Sequence, residues 1–76
     1  MFFSFYLIQE CLERHFDCKF VRTDDDYFIY RKLSDTNLAY AELLPTSDSD
    51  YQISIDYLTY ICSRLHIDVD ELLSYL

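Results

Sequence analysis

Not one glycine occurs in these 76 residues, where average usage near 7% would supply roughly five. Every turn must therefore be built from Asp, Asn, Ser, Thr and the single proline, Pro45. Glycine-rich phosphate-binding loops are excluded. Basic residues are also scarce, six against fourteen acids for a net charge of −8, a balance that repels nucleic acid and attracts basic protein surfaces. Cysteine is limited to Cys11, Cys18 and Cys62, an odd number that does not fit a secreted disulfide scaffold and does fit a reducing cytoplasm. No apolar run approaches the 18 residues that a membrane helix requires. The apolar opening from Met1 to Ile8 has no preceding Lys or Arg and is interrupted by Gln9, Glu10 and Glu13, so it does not read as a secretion signal. The expectation is a soluble cytoplasmic protein with no membrane partner.

What is present is aromatic. Eight tyrosines and six phenylalanines bring the aromatic share to 18% within an apolar content of 51%. That is ample for one compact domain over 1–76, although a core this small rarely supplies more than roughly 3–5 kcal/mol. Charge is uneven along the chain. Residues 1–32 hold six acids against five bases, whereas residues 33–76 hold eight acids against Arg64 alone. The second half carries most of the negative charge, with Asp24, Asp25 and Asp26 as a local addition.

The periodicity predicts an α+β fold. Phe5, Ile8, Leu12 and Phe16 fall at helical spacing after Ser4, a candidate N-cap. Segments 19–22 and 27–32 are rich in aromatic and β-branched residues and flank Thr23 to Asp26, which reads as a hairpin. In a chain without glycine, any left-handed turn position there falls to an Asp. A turn at Ser34 to Asn37 leads to a third strand, Leu38 to Leu44, ended by Pro45. Residues 51–54 read as a fourth strand or as an extended lead-in to a second helix capped by Ser54. That helix has Ile55, Leu58, Ile61, Cys62 and Leu65 as its apolar stripe. Asp68 and Glu71 form a capping box before a last helix with Val69, Leu72, Leu73 and Leu76 on its buried side. The order is helix, a three- or four-stranded antiparallel sheet, then two helices, with no internal repeat.

The segment from Ser54 to Leu73, with its capped helix, short turn and Val69-Asp70-Glu71-Leu72-Leu73 ending, resembles the last two helices of Cro/CI-type helix-turn-helix regulators. The resemblance covers about twenty residues and implies a packing unit. No DNA-contacting position of that family maps onto this chain, and the acidic half lacks the basic face a DNA reader needs. In size and acidity the whole chain is similar to small phage-encoded inhibitors, including anti-CRISPR proteins and other DNA mimics. Such a protein would work in the host cell cytoplasm.

Two Cys-x-x-x-His pairs, Cys11 with His15 and Cys62 with His66, could supply four tetrahedral zinc ligands if two helical faces met. Against that, Cys62 occupies a position where the apolar stripe needs only a small residue, and free cysteine is commonly buried. No cofactor is expected. The Asp24 to Asp26 run lacks the glycine and late glutamate of a calcium loop. No Ser-His-Asp order with an elbow glycine and no Cys-x-x-Cys motif suggests catalysis. The favoured expectation is a small acidic protein-interaction module, an inhibitor that occludes a basic nucleic-acid-binding site on a partner protein without binding nucleic acid itself. Asp24, Asp25, Asp26, Asp48, Asp50 and Asp56 would imitate spaced phosphates, and Tyr51, Tyr57 and Tyr60 would anchor the contact. The same tyrosines have a plainer role open to them, packing over the sheet. The alternative function is a homodimerising regulatory or assembly module on a Cro/CI-like scaffold, joined through its last two helices.

Overall fold

Two strand-to-helix units and one β-meander make up the computed structural model, which describes residues 1–24, 27–43 and 52–76. The meander consists of β2 (Cys18–Arg22), β3 (Tyr27–Lys32) and β4 (Leu38–Glu42), antiparallel in the order β2-β3-β4. The first unit is β1 (Phe2–Ser4) running into α1 (Phe5–His15), and the second is β5 (Gln52–Ser54) running into α2 (Ile55–Arg64). A single-turn helix, α3 (Val69–Leu73), follows. The helix, three-stranded sheet and two helices stand as the sequence predicts. The fourth strand does not extend the meander. β5 instead pairs antiparallel with β1, in the register Phe2↔Ser54, Phe3↔Ile53, Ser4↔Gln52. The sequence reading missed β1, because Phe2 and Phe3 read as the approach to a helix and their partner lies some fifty residues away.

Register explains the core. Phe20 aligns with Ile29 and Ile29 with Ala41, while Cys18 aligns with Arg31 and Arg31 with Ala39. Side chains alternate between faces along a strand, so these residues share one side of the meander. There Cys18, Ile29, Ala39 and Ala41 are buried under Phe5, Ile8, Cys11 and Leu12 of α1 and Leu58, Ile61 and Cys62 of α2. On β4 the small residues point inward and Leu38 and Tyr40 point out, which makes room for α2 against the strand.

Both long helices end in a left-handed residue, and neither has glycine for it. Asp17 has φ 55° and His66 has φ 58°. After α2, the Ile67 amide donates to the Cys62 carbonyl at 2.9 Å and the His66 amide to Ser63 at 3.4 Å, the paired bonds of a Schellman cap. At the helix starts, the Ser54 hydroxyl accepts from the Tyr57 amide at 3.2 Å, whereas Ser4 occupies the N-cap position without a side-chain capping bond. Asp68 caps α3 by accepting from the Asp70 amide at 3.0 Å, and not from Glu71 as the capping-box pattern predicts. In so short a helix the second amide is within reach of the Asp68 carboxylate, and either of the first free amides satisfies the cap.

Arg31 reaches from the central strand to the end of α2. Its guanidinium donates to the carbonyls of Leu65 and His66, both at 3.1 Å, and lies 5.9 Å from the centre of the Phe16 ring. Arg31→Met should therefore cost about 1.5–3 kcal/mol, the usual worth of charge-assisted bonds at a helix C-terminus. Thermal melting measures the loss, and a variant as stable as the parent would show the contact to be idle. His66→Gly should raise stability by about 0.5–1 kcal/mol by relieving the left-handed residue while keeping its carbonyl for Arg31. An unchanged or lower melting temperature would contradict this.

Candidate functional site

The hairpin tip and the end of β4 meet at one end of the meander. Arg22 pairs with Tyr27, Phe28 pairs with Glu42, and the Leu43 amide donates to the Tyr27 carbonyl at 2.8 Å. The ring of Phe5, at the start of α1, packs edge-on to Phe20 and Tyr27 at 6.0 and 6.2 Å. The two strand-to-helix units are joined through β1 and β5, and the Ile55 amide donates to the Met1 carbonyl at 3.1 Å. Exposed Asp24 and Glu42 thus share the hairpin-tip end with exposed Arg22. Asp56 stands in the first turn of α2, where the helix dipole favours a carboxylate.

Of the residues the sequence singles out for partner binding, Asp25, Asp26, Asp48, Asp50 and Tyr51 lie outside the described residues. Tyr57 and Tyr60 are neighbours on α2, with ring centres 6.1 Å apart. Tyr60 is 46% exposed, and Tyr57 is half-buried against the core. Arg64, one turn beyond Tyr60 on α2, reaches over Tyr40 of β4, 5.6 Å from the ring centre. Asp68 and Asp70 flank the start of α3. Eight residues of α2 follow Asp56, about 12 Å along the helix axis, so Asp68 and Asp70 lie beyond the other end of that helix.

The two Cys-x-x-x-His pairs divide between core and surface. Cys11 and Cys62 are buried, while His15 and His66 are exposed. α2 stops at Arg64, and the left-handed turn carries His66 off the face that holds Cys62. His15 stacks on Tyr75 with ring centres 4.0 Å apart and planes 9° from parallel. Among the described residues, no three of His, Cys, Asp or Glu come together as a metal site. Burial pushes the Cys18 and Cys62 thiols up to about 11, with Arg31 partly opposing the shift at Cys18, and it raises Cys11 as well. Thiols so protonated are poor nucleophiles.

Two features were not foreseen from sequence. Phe3, Leu7, Cys11 and His15 line a groove of about 400 Å³ that Tyr75 and Leu76 close. It depends on the chain end returning to α1, which no local pattern announces. The outer side of the meander is the other. It carries Val21, Phe28, Tyr30, Leu38 and Tyr40, none of them packed against the core. The inverted alternation of β4, with alanines inward and Leu38 and Tyr40 outward, is the signal that could have revealed it.

No family model matches the chain, and no curated protein or solved structure is similar to it. Among the described residues, no helix is long and apolar enough to cross a membrane.

The thiols give a pH test. The folded state holds the protons of Cys18 and Cys62 from their ordinary 9.0 up to about 11. The stability they contribute is thus complete below pH 9 and is lost as pH rises toward 11. The melting temperature should fall across that window, and Cys62→Ala should flatten the fall. An equally steep decline in the variant would remove the thiol explanation.

Proposed function

We propose that the chain is a small acidic protein-interaction module, an inhibitor that covers a basic nucleic-acid-binding site on a partner protein in the manner of a DNA mimic or an anti-CRISPR protein. One observation carries the reading: Asp24 and Glu42 are exposed together at the hairpin-tip end, and exposed Asp56 opens the helix that carries the adjoining rings of Tyr57 and Tyr60. Carboxylates at that end would steer the module onto Lys and Arg side chains, and the tyrosines would bury as anchors once the surfaces meet. The partner's nucleic acid would be excluded by occupancy, with no chemistry required. An overall charge of −8 strengthens the attraction at long range and discourages direct nucleic acid binding.

The decisive experiment is affinity capture on the immobilised chain, followed by competition. A true target should be displaced by duplex DNA, and its affinity should fall at least tenfold between about 50 and 500 mM salt, where the screening length shortens from about 14 Å to about 4 Å. Asp24→Asn combined with Asp56→Asn should weaken capture and flatten the salt dependence. A captured protein held equally tightly at both salt concentrations, or indifferent to DNA, refutes occlusion of a basic site.

A further inference from the structure

β4 is a free edge of the meander, last in the strand order β2-β3-β4. The Leu33 amide donates to the Asn37 carbonyl at 2.9 Å and the Leu43 amide to the Tyr27 carbonyl at 2.8 Å. Bonded pairs alternate with unbonded ones along an antiparallel ladder, so the amides and carbonyls of Leu38, Tyr40 and Glu42 turn away from β3. None of them bonds to another described residue. The strand has no proline, lysine or bulge, the usual guards of such an edge. Above it stands α2, packed against β4 on the side of Ala39 and Ala41. Tyr57, Tyr60 and Arg64, spaced i, i+3 and i+7, form the flank of α2 beside its buried stripe of Leu58, Ile61 and Cys62. Tyr40 points to the opposite face of the sheet, so Arg64 comes within 5.6 Å of its ring centre by passing round the free edge. That flank therefore overhangs β4, and Arg64 bars the edge at its midpoint.

We infer that this edge receives an extended segment of another protein, which adds to the meander as a further strand beneath the flank of α2 once Arg64 swings aside. Strand addition satisfies the outward amides and carbonyls of Leu38, Tyr40 and Glu42, and main-chain bonds of this kind supply the affinity. Alternate side chains of the incoming strand point up to Tyr57 and Tyr60, whose rings lie 6.1 Å apart, and the others lie beside Leu38, Tyr40 and Glu42 on the outer face. Apolar residues suit the first set. A Lys or Arg beside Glu42 suits the second, in keeping with a net charge of −8. A second copy does not fit. Two β4 strands paired edge to edge stand about 5 Å apart, whereas the two α2 helices packed on them need about 8–10 Å. Arg64 is displaced at little cost, because it is exposed and its contact with the Tyr40 ring is wet. The site shares Tyr57 and Tyr60 with the contact proposed above, but it does not require a basic nucleic-acid-binding surface.

Displayed random peptides of about eight residues, long enough to span β4, provide the probe when selected on the full chain. In the free chain the amides of Leu38, Tyr40 and Glu42 should exchange rapidly with solvent while those of Ala39, Ala41 and Leu43 are protected, as hydrogen exchange followed by NMR reads directly. A selected peptide, synthesised and added, should protect the first three. Methylating its backbone nitrogens at alternate residues should lower affinity about fivefold or more in one phase and leave it nearly unchanged in the other, because one set of amides bonds to β4 and the other faces away. Arg64→Ala should tighten binding about threefold by unbarring the edge, and Tyr60→Ala should weaken it. A library that returns no binder overturns the inference. So does a peptide that leaves those three amides unprotected, one indifferent to the phase of methylation, or slow exchange of the three amides in the free chain.

Discussion

The guanidinium of Arg31 holds the molecule's two layers in register. It projects from the central strand to the helical side of the meander, where every neighbouring position is apolar, and ends on the carbonyls of Leu65 and His66. Those carbonyls belong to the close of α2, where the helix dipole is negative and backbone acceptors have no partner within the helix. One side chain thus satisfies orphaned acceptors, neutralises a dipole and covers the Phe16 ring beyond the end of α1. Both bonds leave one nitrogen, Nη1, so a lysine ammonium could make them in kind but would lack the planar cation that lies against the Phe16 ring. The inward places on either side of Arg31 are taken by Cys18 and Ala39, side chains small enough to leave its path clear.

The absence of glycine shapes both helix ends. A left-handed residue is the common way to terminate a helix, and the chain assigns it to Asp17 and His66, two of the residue types that tolerate it best. The composition announces that some non-glycine residue must take this conformation, but it points to an Asp of the Thr23 to Asp26 turn and not to Asp17. It cannot announce His66, whose place follows from where Ile67 must turn inward to pack. The same turn separates His66 from Cys62. A spacing that is one helical face on paper is two directions in space.

Legibility elsewhere followed the range of the interaction. Phe5, Ile8 and Leu12 identify α1, and Leu58, Ile61 and Cys62 identify α2, because helical periodicity is local. The β2–β3 hairpin is equally local and stands where the acidic turn puts it. The pairing of β1 with β5, the seating of Tyr75 on His15 and the reach of Arg64 to Tyr40 all join residues distant in sequence, and no pattern within a window reports them. For the candidate site the sequence names exposed acids and tyrosines, and the fold adds which of them share an end. Asp24 stands by Glu42 at the hairpin-tip end, while Asp56 opens α2 and Asp68 and Asp70 serve the start of α3.

The β1–β5 ribbon has a kinetic consequence. Helix α1 and the meander close through contacts near in sequence, but the ribbon joins residues 2–4 to residues 52–54, a loop whose entropy must be lost before three short pairs repay it. Assembly should then proceed from the meander outward, with the two strand-to-helix units locking together last. The last piece to form would also be the first to open, so the protein's slowest exchanging and fastest exchanging amides would lie at the two ends of one structural gradient.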